Sequence, residues 1–309
     1  MGRQIRYLKE GIEYESWLND EGLVDRFFLK TRERKIVFLF RNGSDRPGAV
    51  IKRGKTSQIE KEYVNQKNAL ALFPTNVPEI YFMKSDGDVS DLCMEYVKGL
   101  HLNTVVSSAW MGRKKKYLGE LNEIFGFLLN ILKLVPARKE RVGNVYPWSE
   151  IETIMRIVYG HFGRKAEIYD LGRLLKGVDQ IESPVVMQHR DFCVANILYG
   201  DNGRKVIIDW EDSQEKDLVM VDFNMLLVSM AKAYEETLME TGEYFYKDRE
   251  ITGNVNKVKE EIRGYFGLEK SWFRKISLLS TLSLCAQNLR KQRLKTADEI
   301  FSFLIREAS

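Results

Sequence analysis

The chain has 309 residues, 48 Lys and Arg against 44 Asp and Glu, and a net charge of +4. That length supports a sizeable core in one large domain or two lobes, and the near-balance of charge excludes a broad polyanion-binding bias. Three widely separated cysteines (Cys93, Cys193, Cys285) and only three histidines exclude a disulfide framework, a Cys/His zinc site and a His-rich metal site.

Met1–Glu10 lacks the apolar core of a signal peptide, and Gly2 lacks the downstream Ser or Thr that N-myristoylation favours. Asp25–Thr31 and Lys35–Arg41 are short runs rich in Phe, Val, Ile and Leu, read as strands around a charged turn. After the turn Asn42–Asp45, Gly48–Lys52 reads as a third strand. Ser57–Phe73 has no internal breaker and is closed by Pro74, so it reads as a helix. Pro78–Lys84 and Leu92–Val97 read as two further strands, and Gly99 eases the turn that follows. From Leu100 the pattern is mainly helical. Lys114–Val135 carries Leu118, Leu121, Phe125, Leu128 and Leu132 at helical spacing. Ser149–Gly160, Lys165–Val178, Asp222–Ala233, Trp272–Lys291 and Thr296–Glu307 complete the helical segments. The longest apolar stretch, Ile124–Val135, contains Asn130 and Lys133 and is too short to span a bilayer. The basic run Arg113–Lys116 reads as a solvated face, so neither nucleic acid nor membrane is an expected partner. A soluble cytoplasmic protein is expected, with no linker, repeat or low-complexity tract.

The stretch Val185–Ser213 carries the chemistry. The apolar runs Asn196-Ile-Leu-Tyr and Val206-Ile-Ile flank Asp201-Asn202-Gly203, a hairpin turn signal because Asn and Gly tolerate positive φ. Asp191 precedes the first strand and Asp209 follows the second, so an antiparallel hairpin is expected to return the two carboxylates toward one another. Two hard-oxygen groups and the Asn196 amide at one end of a hairpin suit a magnesium-bound phosphate.

The pattern His189-x-Asp191-x-x-x-x-Asn196, followed by a strand ending in Asp209, resembles the catalytic signature of protein-kinase-like phosphotransferases. Ile208-Asp-Trp-Glu211 and the lack of a Lys two residues after Asp191 resemble the aminoglycoside phosphotransferase and choline kinase family. That family often has Gly or Asn where this chain has Arg190. The resemblance implies an α+β, two-lobed protein-kinase-like fold. Residues 1–98 would form a small antiparallel-sheet lobe with one helix, and residues 99–309 a large, mainly helical lobe. It implies that Asp191 is the base and that Asn196 and Asp209 hold Mg2+. Lys52 would hold the nucleotide phosphates and pair with a helix acid, Glu62 first and Glu60 second. Leu92–Gly99 would be the hinge, with the carbonyl of Glu95 and the amide of Val97 on the base edge and Met94 behind it. His189 would support the catalytic loop, and Asp222 would brace it.

One departure stands out: the turn Thr31–Lys35 has no glycine to cover the phosphates. The expected activity is transfer of a phosphoryl group from ATP or GTP to a hydroxyl of an aminoglycoside, amino alcohol or sugar. The alternatives are a protein kinase, favoured by His-Arg-Asp, and a catalytically idle kinase-like scaffold, favoured by the missing glycines. The late aromatics Tyr244, Phe245, Tyr246, Tyr265, Phe266, Trp272 and Phe273 read mainly as core, with an acceptor wall as the other role. No gathering of acids suited to an aminoglycoside is visible.

Overall fold

A computed structural model describes residues 23–30, 35–41, 44, 46–112, 114–163, 170–238 and 243–308. The residues that precede position 23 and most of the Thr31–Lys35 and Asn42–Asp45 turns lie outside these. The chain divides into two compact units, Met1–Leu100 with Leu198–Asp212, and His101–Ile197 with Ser213–Ser309.

The first unit is built on strands β1 (Leu23–Lys30), β2 (Lys35–Arg41), β3 (Pro47–Lys55), β4 (Ile80–Asp86) and β5 (Val89–Glu95), in the order β1-β2-β3-β5-β4. The pairings β1–β2, β2–β3, β3–β5 and β4–β5 are antiparallel. Helix α1 (Thr56–Leu72) lies between β3 and β4 in sequence. The period of two in a strand sends the residues of β3 to opposite faces. Ala49 and Ile51 pack with Leu39 and Cys93. Val50 packs instead with Ile59 of α1, Leu92 and Met94. Lys52 shares the helix-facing side with Val50, and α1 buries Ile59, Glu62, Gln66 and Ala69 at helical spacing. Burial pushes the Cys93 thiol up to about 12, helped by the nearby Asp91 carboxylate, so it packs as an inert apolar group.

The later hairpin segment belongs to this unit. Its strands are β9 (Ile197–Gly200) and β10 (Lys205–Ile207), which form a small sheet with β6 (Gly99–His101). Ile207 N donates to Asn76 O at 2.7 Å, Asn76 Nδ2 to Lys205 O at 2.8 Å, and Arg204 Nη1 to Glu95 Oε1 at 2.7 Å.

The second unit contains α2 (Leu102–Gly112), α3 (Lys114–Leu134), α4 (Val142–Val145), α5 (Trp148–Phe162), α6 (Leu171–Leu175), α7 (Val221–Leu238), α8 (Glu243–Lys247), α9 (Arg249–Tyr265), α10 (Lys270–Arg290) and α11 (Leu294–Ala308). A three-stranded sheet interrupts the helices: β7 (Arg138–Arg141) and β11 (Gln214–Leu218) flank β8 (Glu182–Gln188). The middle of α10, Ile276 to Ala286, is buried throughout, as is Met220 to Ala231 at the start of α7. Phe125 of α3 meets Phe223 of α7 at 5.7 Å between ring centroids. Of the segment expected as one helix over Lys165–Val178, residues 165–169 lie outside the described ones; the remainder holds the short α6 and a 3-10 turn at Val178–Gln180, separated at Gly177, which adopts φ 75. Among the described residues, no helix is long and apolar enough to cross a membrane.

Gly99 is required for close approach: a Cβ there would stand 2.2 Å from Tyr199 O and 2.7 Å from Tyr199 C. Gly99→Ala is therefore expected to destabilise the chain by about 1–3 kcal/mol, as overpacking does. Gly126→Ala in α3, where a Cβ meets nothing within 4 Å, should instead stabilise by about 0.5–1 kcal/mol. Denaturant midpoints of the two variants check both signs.

Candidate active site

In the first unit, three chain segments meet at Lys52. Its Nζ lies 2.5 Å from Glu62 Oε1 and 3.0 Å from Asp209 Oδ1. Glu62 is fully buried, whereas Glu60 is exposed, so the structure selects Glu62 as the partner on α1. The helix phase was readable from Ile59, Gln66 and Ala69, which share the Glu62 face. Burial pulls the Lys52 pKa down, but Glu62 and Asp209 together outweigh it and raise the value above that of an ordinary lysine. The ammonium therefore stays charged.

Asp209 follows β10 with φ 69, a left-handed conformation that a non-glycine residue adopts at a cost. The next residue fixes it there. Trp210 is buried, stacks on Phe73 at 6.3 Å and donates from Nε1 to Ile207 O at 2.9 Å. Asn65 of α1 donates to Trp210 O at 3.0 Å. Carboxylate oxygens of Glu62, Asp209 and Glu211 lie within 4.8 Å of one another. Three hard-oxygen donors beside one ammonium fit a divalent cation such as Mg2+. Glu211 was not among the expected metal ligands; its place two residues after Asp209 was the available signal.

The residues expected to receive the base also lie in this unit. Met94 is buried, with Gln66 Nε2 3.9 Å from its sulfur. The Glu95 side chain is engaged by Arg204 and by Glu79 N, so any contact of Glu95 with a base would come from its backbone. Val97 is half-buried.

The second unit holds the loop after β8. Asp222, in the first turn of α7, accepts His189 N and Arg190 N, each at 2.7 Å, and its own N donates to Gln188 Oε1 at 2.8 Å. It thus braces the loop. His189 Nδ1 accepts Asp191 N at 3.2 Å, and Asn196 Nδ2 donates to Asp191 O at 2.9 Å. The latter bond leaves Oδ1 as the Asn196 atom of metal-ligand type. Asp191 Oδ2 lies 3.4 Å from Arg293 Nη1.

Arg190 explains its own departure from Gly or Asn. Its φ is 66, the region those residues favour. Its guanidinium is buried and donates to Asp217, to Tyr146 Oη at 2.9 Å, to Ser283 Oγ at 2.8 Å and to Gln287 Oε1 at 2.5 Å. Burial disfavours the charge, but the fully buried Asp217 outweighs it and keeps the pKa above the usual arginine value. The hydroxyl of Tyr146 is raised too, by burial first and then by Asp217. A cavity of about 380 Å3 opens beside Asp191, with Ser229, Lys232, Asn288, Arg293 and Glu299 in its wall. Among the described residues none of the late aromatics lines it. Phe245, Phe266 and Phe273 are buried as core instead.

The fold is that of the protein-kinase-like phosphotransferases. The choline kinase LicA from Streptococcus pneumoniae superposes with a TM-score of 0.53 at 13% identity, over 95% of this chain and 96% of its own. The same kinase in complex with AMP gives 0.50 at 12% identity, with the same coverage. The aminoglycoside phosphotransferase APH(3'')-Id from Streptomyces rimosus ATCC10970 gives 0.47 at 14% identity, over 89% of this chain and 98% of its own. No curated protein matches the chain in sequence. The profile of the phosphotransferase enzyme family matches residues 60–252, more than half of the 309, and the chain belongs to that family. It is a phosphotransferase enzyme.

Two predictions follow from the loop geometry. Asp217→Ala leaves a buried guanidinium unmatched and should cost about 3–5 kcal/mol. Adding Arg190→Gly removes both that charge and the left-handed strain, so the double variant should recover much of the loss in urea unfolding. Burial pushes Asp222 up to about 6 against the hydrogen bonds and His189 that hold it down. Between its ordinary 3.8 and about 6 the folded chain holds a proton that the unfolded chain has released. This group therefore makes stability fall as pH rises through that window. Protonation also removes one acceptor from the His189 and Arg190 amides, so turnover should fall below about pH 6. A pH–rate profile of Asp222→Asn, in which the acid limb near 6 is lost and activity stays low and flat, checks this; an unchanged limb refutes it.

Proposed function

We propose that the chain transfers the γ-phosphoryl group of ATP or GTP to a hydroxyl of a small molecule. The observation that carries this reading is the convergence of Lys52, Glu62 and Asp209 from three separate chain segments. In this reading Lys52, held by Glu62, binds the α- and β-phosphates. The backbone of Glu95 and Val97, with Met94 behind, receives the base. Asp209 and Asn196 hold Mg2+, with Glu211 as a further carboxylate. Bound there, Mg2+ offsets charge on the phosphates and fixes their orientation. Asp191 accepts the proton of the acceptor hydroxyl as its oxygen forms the new bond to phosphorus. The bond from phosphorus to the β–γ bridging oxygen breaks, and the nucleoside diphosphate leaves with that electron pair. His189 and Asp222 keep the loop in place and take no proton in the reaction. Catalysis of this kind rests mainly on positioning and electrostatics.

The test uses thermal unfolding with ATP or GTP, with and without Mg2+. At about 100 times the dissociation constant, ligand should add roughly 2.7 kcal/mol, and Asp209→Ala should abolish the Mg2+-dependent part. Asp191→Asn should keep that stabilisation while turnover drops by about 10²–10⁴. No stabilisation by either nucleotide would overturn the reading in favour of an idle scaffold.

A further inference from the structure

The stretch proposed to receive the base, residues 95–97, is tied at both ends to the β9–β10 hairpin. At its start stands Glu95, the last residue of β5. Arg204, just before β10, donates from Nη1 to Glu95 Oε1 at 2.7 Å, from Nε to Thr75 O at 2.5 Å and from Nη2 to Val77 O at 3.0 Å. The other carboxylate oxygen of Glu95 accepts Glu79 N at 3.2 Å. Just past the far end, Asp201 N donates to Lys98 O at 3.4 Å, and the Lys98 ammonium pairs with the Asp201 carboxylate. Gly99 then passes so close to Tyr199 O that a Cβ would collide with it.

Stability alone is a poor account of this arrangement. The Arg204 and Glu95 side chains are each 25% exposed, and an ion pair that water reaches adds little to stability. Geometry is the better account. A guanidinium is a rigid planar fork, and three acceptors on it fix its position. Two of them are backbone carbonyls of Thr75 and Val77, and Asn76 between these is itself bonded to Lys205 and Ile207. Arg204 therefore reaches Glu95 from an anchored base. The same hairpin leads within two residues to Asp209, the carboxylate on Lys52. One element thus fixes both the base-receiving stretch and the acid at the phosphate end of the site.

We propose that Arg204 is a positioning residue for nucleotide binding. By holding the Glu95 carboxylate it sets the backbone of residues 95–97 where the base edge meets it, in fixed register with Lys52 and Asp209. In this role Arg204 touches no substrate atom and takes no part in proton or phosphoryl transfer. Binding groups must be held to within about 0.5 Å of their productive place by the residues behind them. Loss of that support is read in affinity for the base part of the nucleotide, and the triphosphate part is spared. The inference rests on the phosphotransfer reading above and adds the residue that orients its base contacts.

The experiment is calorimetric titration of the full chain with ATP or GTP, with and without Mg2+, and with tripolyphosphate and Mg2+ as a ligand that has no base. Arg204→Met should weaken nucleotide binding about tenfold and leave unchanged both tripolyphosphate binding and the factor gained from Mg2+. Arg204→Lys keeps the charge but not the fork and should lose less, and it serves where the Met variant folds poorly. Asp209→Ala is the opposite case and should lose the Mg2+ factor. Unaltered nucleotide affinity in both Arg204 variants would overturn the inference. An equal loss for tripolyphosphate, or a lost Mg2+ factor, would overturn it too, because the hairpin as a whole would then have loosened. Each of these results leaves the phosphotransfer reading standing, since the wild type still binds nucleotide with Mg2+; failure of the wild type to bind either nucleotide removes both.

Discussion

A buried ammonium is tolerated only where carboxylates meet it, and in the first unit that requirement organises the chain. Lys52 comes from β3, Glu62 from α1 and Asp209 from a segment about 150 residues later. Withdrawing Lys52 leaves the fully buried Glu62 with an unmatched charge. The Leu198–Asp212 segment brings the second carboxylate to Lys52 and packs with the early strands. Asn76, Arg204 and the Trp210–Phe73 stack hold it there by contacts that involve no catalytic group. The charge requirement and the packing agree, which is what a specified fold demands.

The second unit solves a different problem. A loop leaving a buried strand exposes amide groups that need acceptors. Asp222 supplies both its oxygens to two consecutive amides, and the buried Arg190–Asp217 pair fastens the side chain between them. Asp191 is thereby presented from a loop whose neighbours on either side are tied down. Cys193 and Asn196 add short backbone turns, Cys193 N to Asp191 O at 2.8 Å and Asn196 N to Cys193 O at 2.9 Å.

Much of this was legible in the sequence. The β1–β5 and α1 order came from apolar runs and turn residues, and the spacing of Asp191, Asn196 and Asp209 pointed to the phosphotransferase family. What stayed hidden has physical reasons. β7 reads Arg-Lys-Glu-Arg and β11 Gln-Glu-Lys-Asp-Leu, which carry no strand pattern. They are strands because the buried β8 between them needs its backbone groups paired. Helix α9 buries only Ile251, Val255, Val258 and Ile262 along a mostly polar sequence, so its apolar stripe is narrow. Its clearest mark is Asp248, which accepts Glu250 N and Ile251 N as a cap. Arg190 looked like a mild misfit because its partner, Asp217, lies 27 residues away.

Backbone strain marks the same places. Among the described residues, four that are not glycine have positive φ: Asp170, Arg190, Asp209 and Gln292. Arg190 precedes Asp191, Asp209 is itself the carboxylate on Lys52, and Gln292 precedes Arg293. Asp170 caps the short α6 and has only a local role. Gln292 takes the left-handed position after α10 where Gly or Asn is usual, and Arg293 N then donates to Asn288 O at 2.9 Å. That turn directs Arg293 to Asp191 and places its amide on the carbonyl of Asn288. Each such residue costs about 1–3 kcal/mol and persists only when its surroundings over-determine it. At Asp209 the determinant is the anchored Trp210; at Arg190 it is the buried ion pair. Three of the four thus spend stability on aiming a charged side chain, and two of those charges, Asp191 and Asp209, are ones that the proposed reaction requires.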